Sequence, residues 1–414
     1  MKTPTSAHIL ISGSVGELDW IIPVVKKMHD KGKIINISFL KKSARVSFNL
    51  NKTLKEITYL NFNINEKTIL NDNQLGLWNF IDRSYRFCNK ATYYKFRKFI
   101  DFFFSIICKL LFTNFYHILN MHPSSLFIEF PADKRLLSAI FRANHLRIIY
   151  FPHSPHMYSE NLGLENTNNF IFNHNLSSQD KEIYLFGLEE DVSALKDDGW
   201  QPAEKSKILI TGHPRYSAKW IEYFVDYVDA PKKKDELKIA VISRGKGNFI
   251  SENEHNRLTN IIHSSIVSLF PDCEVLIKLH PREPLDQSNW KNFLGKNFRI
   301  VDDHVYKIFC EVDIVLTMFT TVAMDAAIFE LPIIEVYDPN ISPALQIEQD
   351  GKYRSLYDLL GMVETARDES ELKIKLKNIT GNKNYSPVKS KVFLDLIEKS
   401  NNWEKVLENE LTLW

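Results

Sequence analysis

Cysteine is scarce in this chain, and the cysteines present form no recognisable pattern. Only four occur among 414 residues, without a Cys-x-x-Cys pair or the Cys and His spacing of a zinc site. The sequence therefore excludes a disulfide framework and a structural zinc, and it indicates a reduced, cytoplasmic setting. A signal-peptide pattern is also missing from the first residues, MKTPTSAHILISGS.

A strong charge of either sign is missing as well. Lysine and arginine number 52 and aspartate and glutamate 51, so the formal net charge is only +1. Because a nucleic-acid-binding protein needs a basic excess, we expect no nucleic-acid partner. Hydrophobic residues make up 44% of the chain and charged residues 25%, which is ordinary for a soluble protein with room for two α/β domains.

Two familiar nucleotide-binding fingerprints are absent. Gly13 and Gly16 follow the first predicted strand but do not form a Gly-x-Gly-x-x-Gly pattern, and residues 243–248 (SRGKGN) are not a Walker loop. These absences exclude a dinucleotide fingerprint and argue against hydrolysis of a nucleoside triphosphate. No Asp-x-Asp pair follows a predicted strand either, so we predict no cofactor and a metal-independent activity.

Short apolar runs bounded by polar residues are frequent, and they predict buried parallel strands. The predicted strands cover residues 7–12, 33–40, 125–130, 146–151, 169–173, 207–211, 237–242, 275–279, 313–316 and 332–336. Helices are predicted over residues 18–30, 178–185, 190–197, 256–270 and 322–329, while residues 50–80 stay unassigned. Strands that alternate with helices are typical of α/β folds.

The alternating pattern falls into two series, each of which begins with a strand and a glycine-containing loop. We therefore predict two Rossmann-like domains that face each other across a cleft, over residues 1–230 and 231–414. The boundary is placed in the charged, proline-containing run at residues 229–236, DAPKKKDE.

Polar residues that follow the predicted strands of the second series suit a phosphate group. The carboxyl ends of parallel strands meet at one edge of a sheet, where open α/β sheets bind ligands. Cationic side chains and hydroxyls at such an edge are typical phosphate ligands. The candidate binding residues are Ser243, Arg244, Gly245, Lys246, Lys278, His280, Pro281, Arg282, Thr320 and Thr321.

Two of these runs resemble a known family. KLHPRE at residues 278–283 and LTMFTTVAMDAAIFELPII at residues 316–334 resemble the C-terminal half of GT-B glycosyltransferases that use cytidine nucleotides. The bacterial sialyl- and Kdo-transferases pair a His-Pro motif with a hydroxyl pair in this way. The CDP-glycerol glycerophosphotransferases are similar, with a Ser-Ser helix start before a Pro-Ile strand.

The resemblance implies a GT-B glycosyltransferase that takes a 2-keto sugar acid from a CMP-linked donor to a glycan or glycolipid acceptor, in capsule or lipopolysaccharide synthesis. A CDP-glycerol-type transferase is the alternative, and a sugar-nucleotide epimerase or a non-catalytic binder ranks lower. The fold also implies that a last helix, over residues 389–412, crosses back to the first domain.

Such a transferase needs one group to stabilise the leaving phosphate and another to activate the acceptor hydroxyl. His280 is the candidate for the first task, because it follows a strand beside a proline that lacks an N–H. Glu17, Asp19, His153 and Glu160 are unranked candidates for the second. Glu17 and Asp19 also suit a structural role at a helix start, and Glu160 could instead be a nucleophile.

The run KATYYKFRKFIDFFFSIICKLLFTNFYHIL at residues 90–119 has helical length and is rich in phenylalanine. It is too short and too charged to cross a bilayer. A helix buried beside the sheet is one interpretation. The other is a peripheral membrane contact through residues 90–115, which would place the protein at the inner face of the cytoplasmic membrane.

Overall fold

The structure is a computed structural model that describes fifteen ranges of residues. These are residues 6–13, 15–91, 97–112, 125–129, 135–144, 146–152, 182–197, 206–228, 236–247, 250–280, 283–338, 340–341, 347–349, 352–382 and 390–410.

The strands belong to two parallel sheets and one small antiparallel pair. In chain order they are β1 (Ser6–Ile11), β2 (Ile34–Phe39), β3 (Asn63–Thr68), β4 (Ser125–Glu129), β5 (Ile148–Phe151), β6 (Glu182–Phe186), β7 (Lys207–Ile210), β8 (Lys238–Ile242), β9 (Glu274–Lys278), β10 (Phe298–Ile300), β11 (Ile314–Thr317), β12 (Ile333–Val336), β13 (Ile347–Gln349), β14 (Lys352–Arg354) and β15 (Glu364–Ala366).

Helices connect most of these strands. They are α1 (Val15–Asp30), α2 (Lys42–Leu50), α3 (Lys52–Asn61), α4 (Asp72–Ala91), α5 (Arg97–Leu111), α6 (Arg135–Ala143), α7 (Glu189–Asp197), α8 (Ala218–Tyr227), α9 (Glu252–Leu269), α10 (Val305–Glu311), α11 (Val322–Ile328), α12 (Leu356–Leu359), α13 (Glu369–Gly381) and α14 (Lys391–Glu410). Short 3₁₀ turns occupy Pro214–Tyr216, Leu285–Gln287 and Asn289–Asn292.

The two parallel sheets share one topology. The first has the order β3-β2-β1-β4-β5-β6-β7, and the second has the order β10-β9-β8-β11-β12-β15. In both sheets the chain runs outward from the first strand in one direction and then returns to its other side. This is the doubly wound order of Rossmann-like sheets, with a ligand crevice expected where the direction reverses. The predicted α/β class with two Rossmann-like domains is confirmed.

The central strands are apolar because helices cover both of their faces. Ile9, Leu10 and Ile11 of β1 are fully buried, as are Ile239 and Val241 of β8. Burying one such side chain stabilises a fold by about 1.5–3 kcal/mol. The short apolar runs of the sequence therefore identified these strands correctly.

The chain divides into two compact units. The first contains the described residues up to Ser217 together with residues 396–410, and the second contains those from Ala218 to Asp395. The longer part of α14 thus belongs to the first unit. The predicted boundary at residues 229–236 falls almost wholly outside the described residues and stays a prediction, as does a cleft between the domains.

Two predicted helices differ from the structure. The helix predicted over residues 178–185 is wrong, because Glu182–Phe186 is strand β6, paired with both β5 and β7. Helix α9 begins at Glu252 rather than at residue 256, since the Ser251 side chain accepts a hydrogen bond from the backbone N–H of Glu254. A serine followed three residues later by a glutamate is a helix-start signal that the prediction overlooked.

In the described part of the chain, no helix combines the length and the apolar character needed to cross a membrane. Within those same residues, no three or more His, Cys, Asp or Glu side chains are grouped so as to hold a metal ion.

Candidate functional site

Three loops of the second unit leave the sheet side by side. They follow β8, β9 and β11, and β8 lies between the other two strands, with Ile242 opposite both Lys278 and Thr317. The backbone N–H of Ser243 donates to the carbonyl O of Lys278 at 2.9 Å, which holds the first two loops together. The direction of the sheet reverses here, so these loops form the edge at which a ligand is expected.

Arg244 joins the loop after β8 to the loop after β11. Its guanidinium donates a hydrogen bond to the carbonyl O of Phe319 and lies 5.5 Å from the centre of the Phe319 ring. Phe319 has a φ of 49°, in the left-handed region that a residue with a side chain seldom adopts. The strained backbone turns this carbonyl toward Arg244, and an oriented guanidinium at a strand end is suited to a phosphate oxygen.

The Phe319 ring is itself held by aromatic neighbours. Its centre lies 5.0 Å from that of Tyr337 and 5.5 Å from that of Tyr357. All three side chains are buried. The ring under Arg244 is therefore fixed by the core of the second unit, which fixes the direction of the guanidinium in turn.

Behind the loop after β8 lies a buried polar cluster that the sequence interpretation missed. Glu283 Oε1 lies 3.0 Å from His255 Nε2 and accepts from the Ser288 hydroxyl at 2.5 Å. The indole N–H of Trp290 donates to the Ser243 hydroxyl at 2.9 Å. Burial acts to raise the pKa of Glu283, but hydrogen bonds from His255, Ser288 and Ser243 outweigh it and hold that pKa below its usual value.

The same cluster explains why residue 245 is a glycine. A Cβ at this position would lie 2.8 Å from the Cβ of Glu283, closer than real Cβ atoms approach. Glycine therefore allows the loop after β8 to pack directly on Glu283. Glu283 ends the KLHPRE run, but its partner His255 is 28 residues away, so no local pattern could have revealed the pair.

Other predicted binding residues lie near this edge with different partners. The Lys278 ammonium donates to the Asp302 carbonyl O at 2.9 Å, and burial lowers its pKa. Lys246 forms an exposed ion pair with Glu252 at 3.1 Å. Both cations thus have contacts away from the Arg244 side chain, and their binding roles stay predictions.

The remaining described candidates follow β9 and β11. His280 is half-buried, and its carbonyl O accepts from the backbone N–H of Glu283 at 2.8 Å. The Thr320 hydroxyl accepts from the backbone N–H of Val322 at 3.4 Å. Thr321 directly precedes α11, and its side chain caps no N–H of that helix.

In the first unit, the carboxylate of Glu17 closes the loop after β1. It accepts hydrogen bonds from the backbone N–H of Ser12 at 2.8 Å, from the Ser12 hydroxyl at 3.1 Å, and from the backbone N–H of Gly13. Glu17 is only 1% exposed. These contacts give it a structural role in the loop, and its catalytic role stays a prediction.

Asp19 also has a structural partner in the same unit. Its carboxylate lies 2.7 Å from the Arg215 guanidinium, and both side chains are about nine-tenths buried. Next to it, the indole N–H of Trp20 donates to His213 Nδ1 at 2.8 Å. The Gly-His-Pro-Arg run at residues 212–215 thus anchors α1, and a catalytic role for Asp19 stays a prediction.

Gly212 shows why that run needs its glycine. It has a φ of 64°, and a Cβ there would lie 2.2 Å from the backbone N of Ser400 in α14. The Ser400 hydroxyl accepts from the backbone N–H of His213 at 2.9 Å. The close approach of two backbones at this point excludes any side chain at residue 212.

Four predicted site residues lie outside the described residues. They are His153 and Glu160 in the first half of the chain and Pro281 and Arg282 after β9. Their predicted roles as base, nucleophile or phosphate ligands stay predictions.

Neither a protein-family model nor a curated protein sequence matches this chain. Solved structures do match it over nearly its full length. UDP-GlcNAc 2-epimerase from Methanocaldococcus jannaschii, in complex with UDP-GlcNAc and UDP, has 14% identity, covers 98% of this chain and 99% of its own, and gives a TM-score of 0.54.

Two further structures give the same result. A putative UDP-N-acetylglucosamine 2-epimerase from Listeria monocytogenes has 10% identity, with 97% and 92% of the two chains covered and a TM-score of 0.54. UDP-GlcNAc 2-epimerase from Neisseria meningitidis, bound to UDP-GlcNAc, has 11% identity, with 98% and 99% covered and a TM-score of 0.52. At such identities the likeness establishes the fold, which is of the GT-B type.

These comparisons correct the predicted function. The prediction of a CMP-sugar glycosyltransferase is wrong, because the three solved structures named above, which share this fold along nearly the whole chain, are two UDP-GlcNAc 2-epimerases and one putative UDP-GlcNAc 2-epimerase. The His-Pro and Thr-Thr runs predict a phosphate-binding edge, which stays a prediction, and they do not distinguish one nucleotide from another. A 2-epimerase was among the alternatives that the sequence left open.

Proposed function

We propose that this protein is an epimerase of UDP-linked sugars that inverts the configuration at carbon 2 of the sugar. The observation that carries the proposal is the Arg244 guanidinium, which Phe319 orients at the edge where the second sheet reverses direction. The full-length likeness to UDP-GlcNAc 2-epimerases supports uridine as the nucleoside.

Arg244 would bind the diphosphate of such a substrate. A guanidinium offers several N–H donors in one plane and forms charge-assisted hydrogen bonds with phosphate oxygens. One of these donors is engaged by the Phe319 carbonyl, which fixes the side chain before a ligand arrives. A pre-oriented cation binds more tightly because less side-chain freedom is lost on binding.

His280 would assist Arg244 from the neighbouring strand end. Inversion at carbon 2 removes the proton from one face of the sugar while the bond between carbon 1 and the diphosphate breaks, so that the electron pair of the C–H bond forms a double bond between carbons 1 and 2. A proton then adds to the other face of carbon 2 as the diphosphate returns to carbon 1, which gives the 2-epimer. The reaction needs positioned acid and base groups and a substrate held firmly by its diphosphate. The half-buried His280 suits charge stabilisation on the diphosphate at this edge.

The direct test is incubation of the protein with UDP-GlcNAc alone in deuterated water, followed by proton NMR. An epimerase yields the 2-epimer without any acceptor, and the product carries deuterium at carbon 2. UDP-GlcNAc that remains unchanged, with its carbon 2 proton intact, contradicts the proposal. A sugar transferred only when a glycan is added would contradict it too.

A second test addresses the binding edge. Arg244→Gln should weaken UDP binding by about 10–100-fold, the loss expected for one charge-assisted phosphate contact. Arg299→Gln is the matched control, because Arg299 pairs with Glu274 on the surface, away from the three loops. Isothermal titration with UDP measures both. Equal UDP affinity in the two variants would show that Arg244 is not the diphosphate ligand.

A further inference from the structure

Two neighbouring helices of the first unit expose a series of large apolar side chains. Helix α5 presents them at intervals of three and four residues, so they lie on one side of the helix. Helix α4 adds two phenylalanines. The members, which we call the α4–α5 apolar surface, are between 40% and 77% exposed: Phe80, Phe87, Phe99, Phe102, Phe103, Ile106 and Leu110.

The opposite side of α5 is already packed. Phe104 and Cys108 are buried in the core of the first unit. The Tyr85 hydroxyl of α4 donates to Asp101 of α5 at 2.8 Å, which joins the two helices. Helix α5 is therefore apolar on its inner side and on its outer side, whereas an ordinary surface helix is apolar on one side only.

The sequence that links the apolar residues of α4 to those of α5 is strongly basic. Residues 83–98 contain six basic residues and no acidic one, and one of the six, Arg86, pairs with Asp82 directly before this segment. The chain as a whole has a net charge of +1, so the remainder carries +1 − 6 = −5. The excess of positive charge is thus concentrated in a segment of the sequence that adjoins the apolar residues of α4 and α5.

We propose that the α4–α5 apolar surface docks on a membrane of anionic lipids. Phenylalanine side chains beside lysine and arginine are the combination by which amphipathic helices lie in the lipid interface. Each basic residue near an anionic leaflet adds to the attraction. A second copy of the chain fits less well, because a two-fold interface would place the basic segment against itself.

The test is co-sedimentation of the full-length protein with lipid vesicles. The protein should sediment with phosphatidylcholine vesicles that contain about 30% phosphatidylglycerol and stay in solution with phosphatidylcholine alone. Binding should also be lost at about 1 M salt, where the Debye length is only about 3 Å. Equal binding to both kinds of vesicle would overturn the proposal.

Variants locate the contact. Phe102→Ser with Phe103→Ser should weaken vesicle binding by about tenfold or more, since each side chain loses its burial in the lipid interface. Lys90→Glu with Lys98→Glu should weaken it to a similar extent through charge. Leu60→Ser with Ile374→Ser is the matched control, because both side chains are exposed apolar residues on other helices. The control variant should bind as wild type does.

Two results would contradict a lipid contact. In one, all variants bind vesicles equally while their melting temperatures show that they are folded. In the other, light scattering shows a dimer that Phe102→Ser with Phe103→Ser converts to monomer, with no vesicle binding by wild type. The second result would assign the surface to a second copy of the chain.

Discussion

Two buried carboxyl groups, one in each unit, differ in the number of hydrogen-bond donors that surround them. Glu17 in the first unit is 1% exposed and accepts hydrogen bonds from the Ser12 and Gly13 backbone N–H groups and from the Ser12 hydroxyl. Glu335 in the second unit is fully buried on β12, and among the described residues it accepts from the Ser355 hydroxyl alone, with no partner at Oε1.

The difference lies in the donors that each fold supplies. Several donors stabilise an ionised carboxylate, whereas a carboxyl group with too few of them stays protonated instead. Burial, with a contribution from nearby Asp358, raises the pKa of Glu335 to about 8, although Ser355 and Arg244 oppose the shift. The first unit thus uses its carboxylates to hold a loop and a helix, and the second keeps one neutral at ordinary pH.

The largest effect is expected for Glu335→Gln across pH. Between about pH 4.5 and 8 the unfolded chain releases this proton and the folded protein retains it, so the free energy of unfolding falls as pH rises. A pKa raised from 4.5 to about 8 corresponds to roughly 5 kcal/mol across that window. A glutamine side chain cannot ionise, so the Glu335→Gln variant should lose this part of the pH dependence.

Urea unfolding at several pH values from 4.5 to 9 measures this pH dependence of the free energy of unfolding. Wild type and Glu335→Gln should diverge steadily up to about pH 8 and run parallel above it, with the variant the more stable. Glu398→Gln is the control, because Glu398 is an exposed residue of α14. If the free energy of unfolding of Glu335→Gln follows that of wild type at every pH, Glu335 is not kept protonated in the folded protein, and the contrast with Glu17 is contradicted.

The next effect concerns the ion pair between Asp19 and Arg215. Arg215→Leu leaves Asp19 buried without its cation, which should lower the free energy of unfolding by about 3–5 kcal/mol. Removing both charges with Asp19→Leu and Arg215→Leu should restore much of that loss. Denaturant unfolding at pH 7 compares the two variants.

A surface pair gives the reference for that experiment. Lys26→Ala removes the ion-pair partner of the exposed Asp30, and it should cost less than about 1 kcal/mol. An Arg215→Leu variant that is no less stable than Lys26→Ala would mean that the Asp19 carboxylate has enough other donors. The stability of the first unit would then depend less on this ion pair than the short distance between Asp19 and Arg215 indicates.

The smallest effect is expected for Glu17→Gln. The amide retains one acceptor oxygen, but its NH₂ group faces an N–H donor, so about 1–3 kcal/mol of stability should be lost. Glu189→Gln, at an exposed ion pair with Lys399, should cost less than about 1 kcal/mol. Thermal melting compares the two variants. Equal melting temperatures would show that the loop after β1 does not depend on the Glu17 carboxylate.

Much of the fold could be predicted because its strands are buried on both faces. Runs such as AHILIS and KIAVI are continuous and apolar, and each is bounded by polar residues. Strand β6 was not predicted, because charged residues precede it and its strand conformation depends on pairing with β5 and β7. Pairing between strands that are distant in the chain leaves no local pattern.

The candidate site was predictable only in part. Strand ends that carry Arg244, His280 and Thr320 could be placed at one edge, because parallel strands end together. The contact between Arg244 and Phe319 joins residues 75 positions apart and depends on a left-handed backbone at Phe319. The nucleotide could not be assigned, because a phosphate-binding edge serves cytidine and uridine nucleotides equally.

By itself, the sequence determined the α/β class, the division of the strands into two series and the edge where polar residues gather. These features depend on the spacing of apolar and polar residues along the chain, which is local information. Only the tertiary structure decided that Glu17 and Asp19 are held by Ser12, Gly13 and Arg215, and that Glu335 has a single donor within the described part of the chain. The surroundings of a buried charge come from segments far apart in the chain, and those surroundings determine what the charge does.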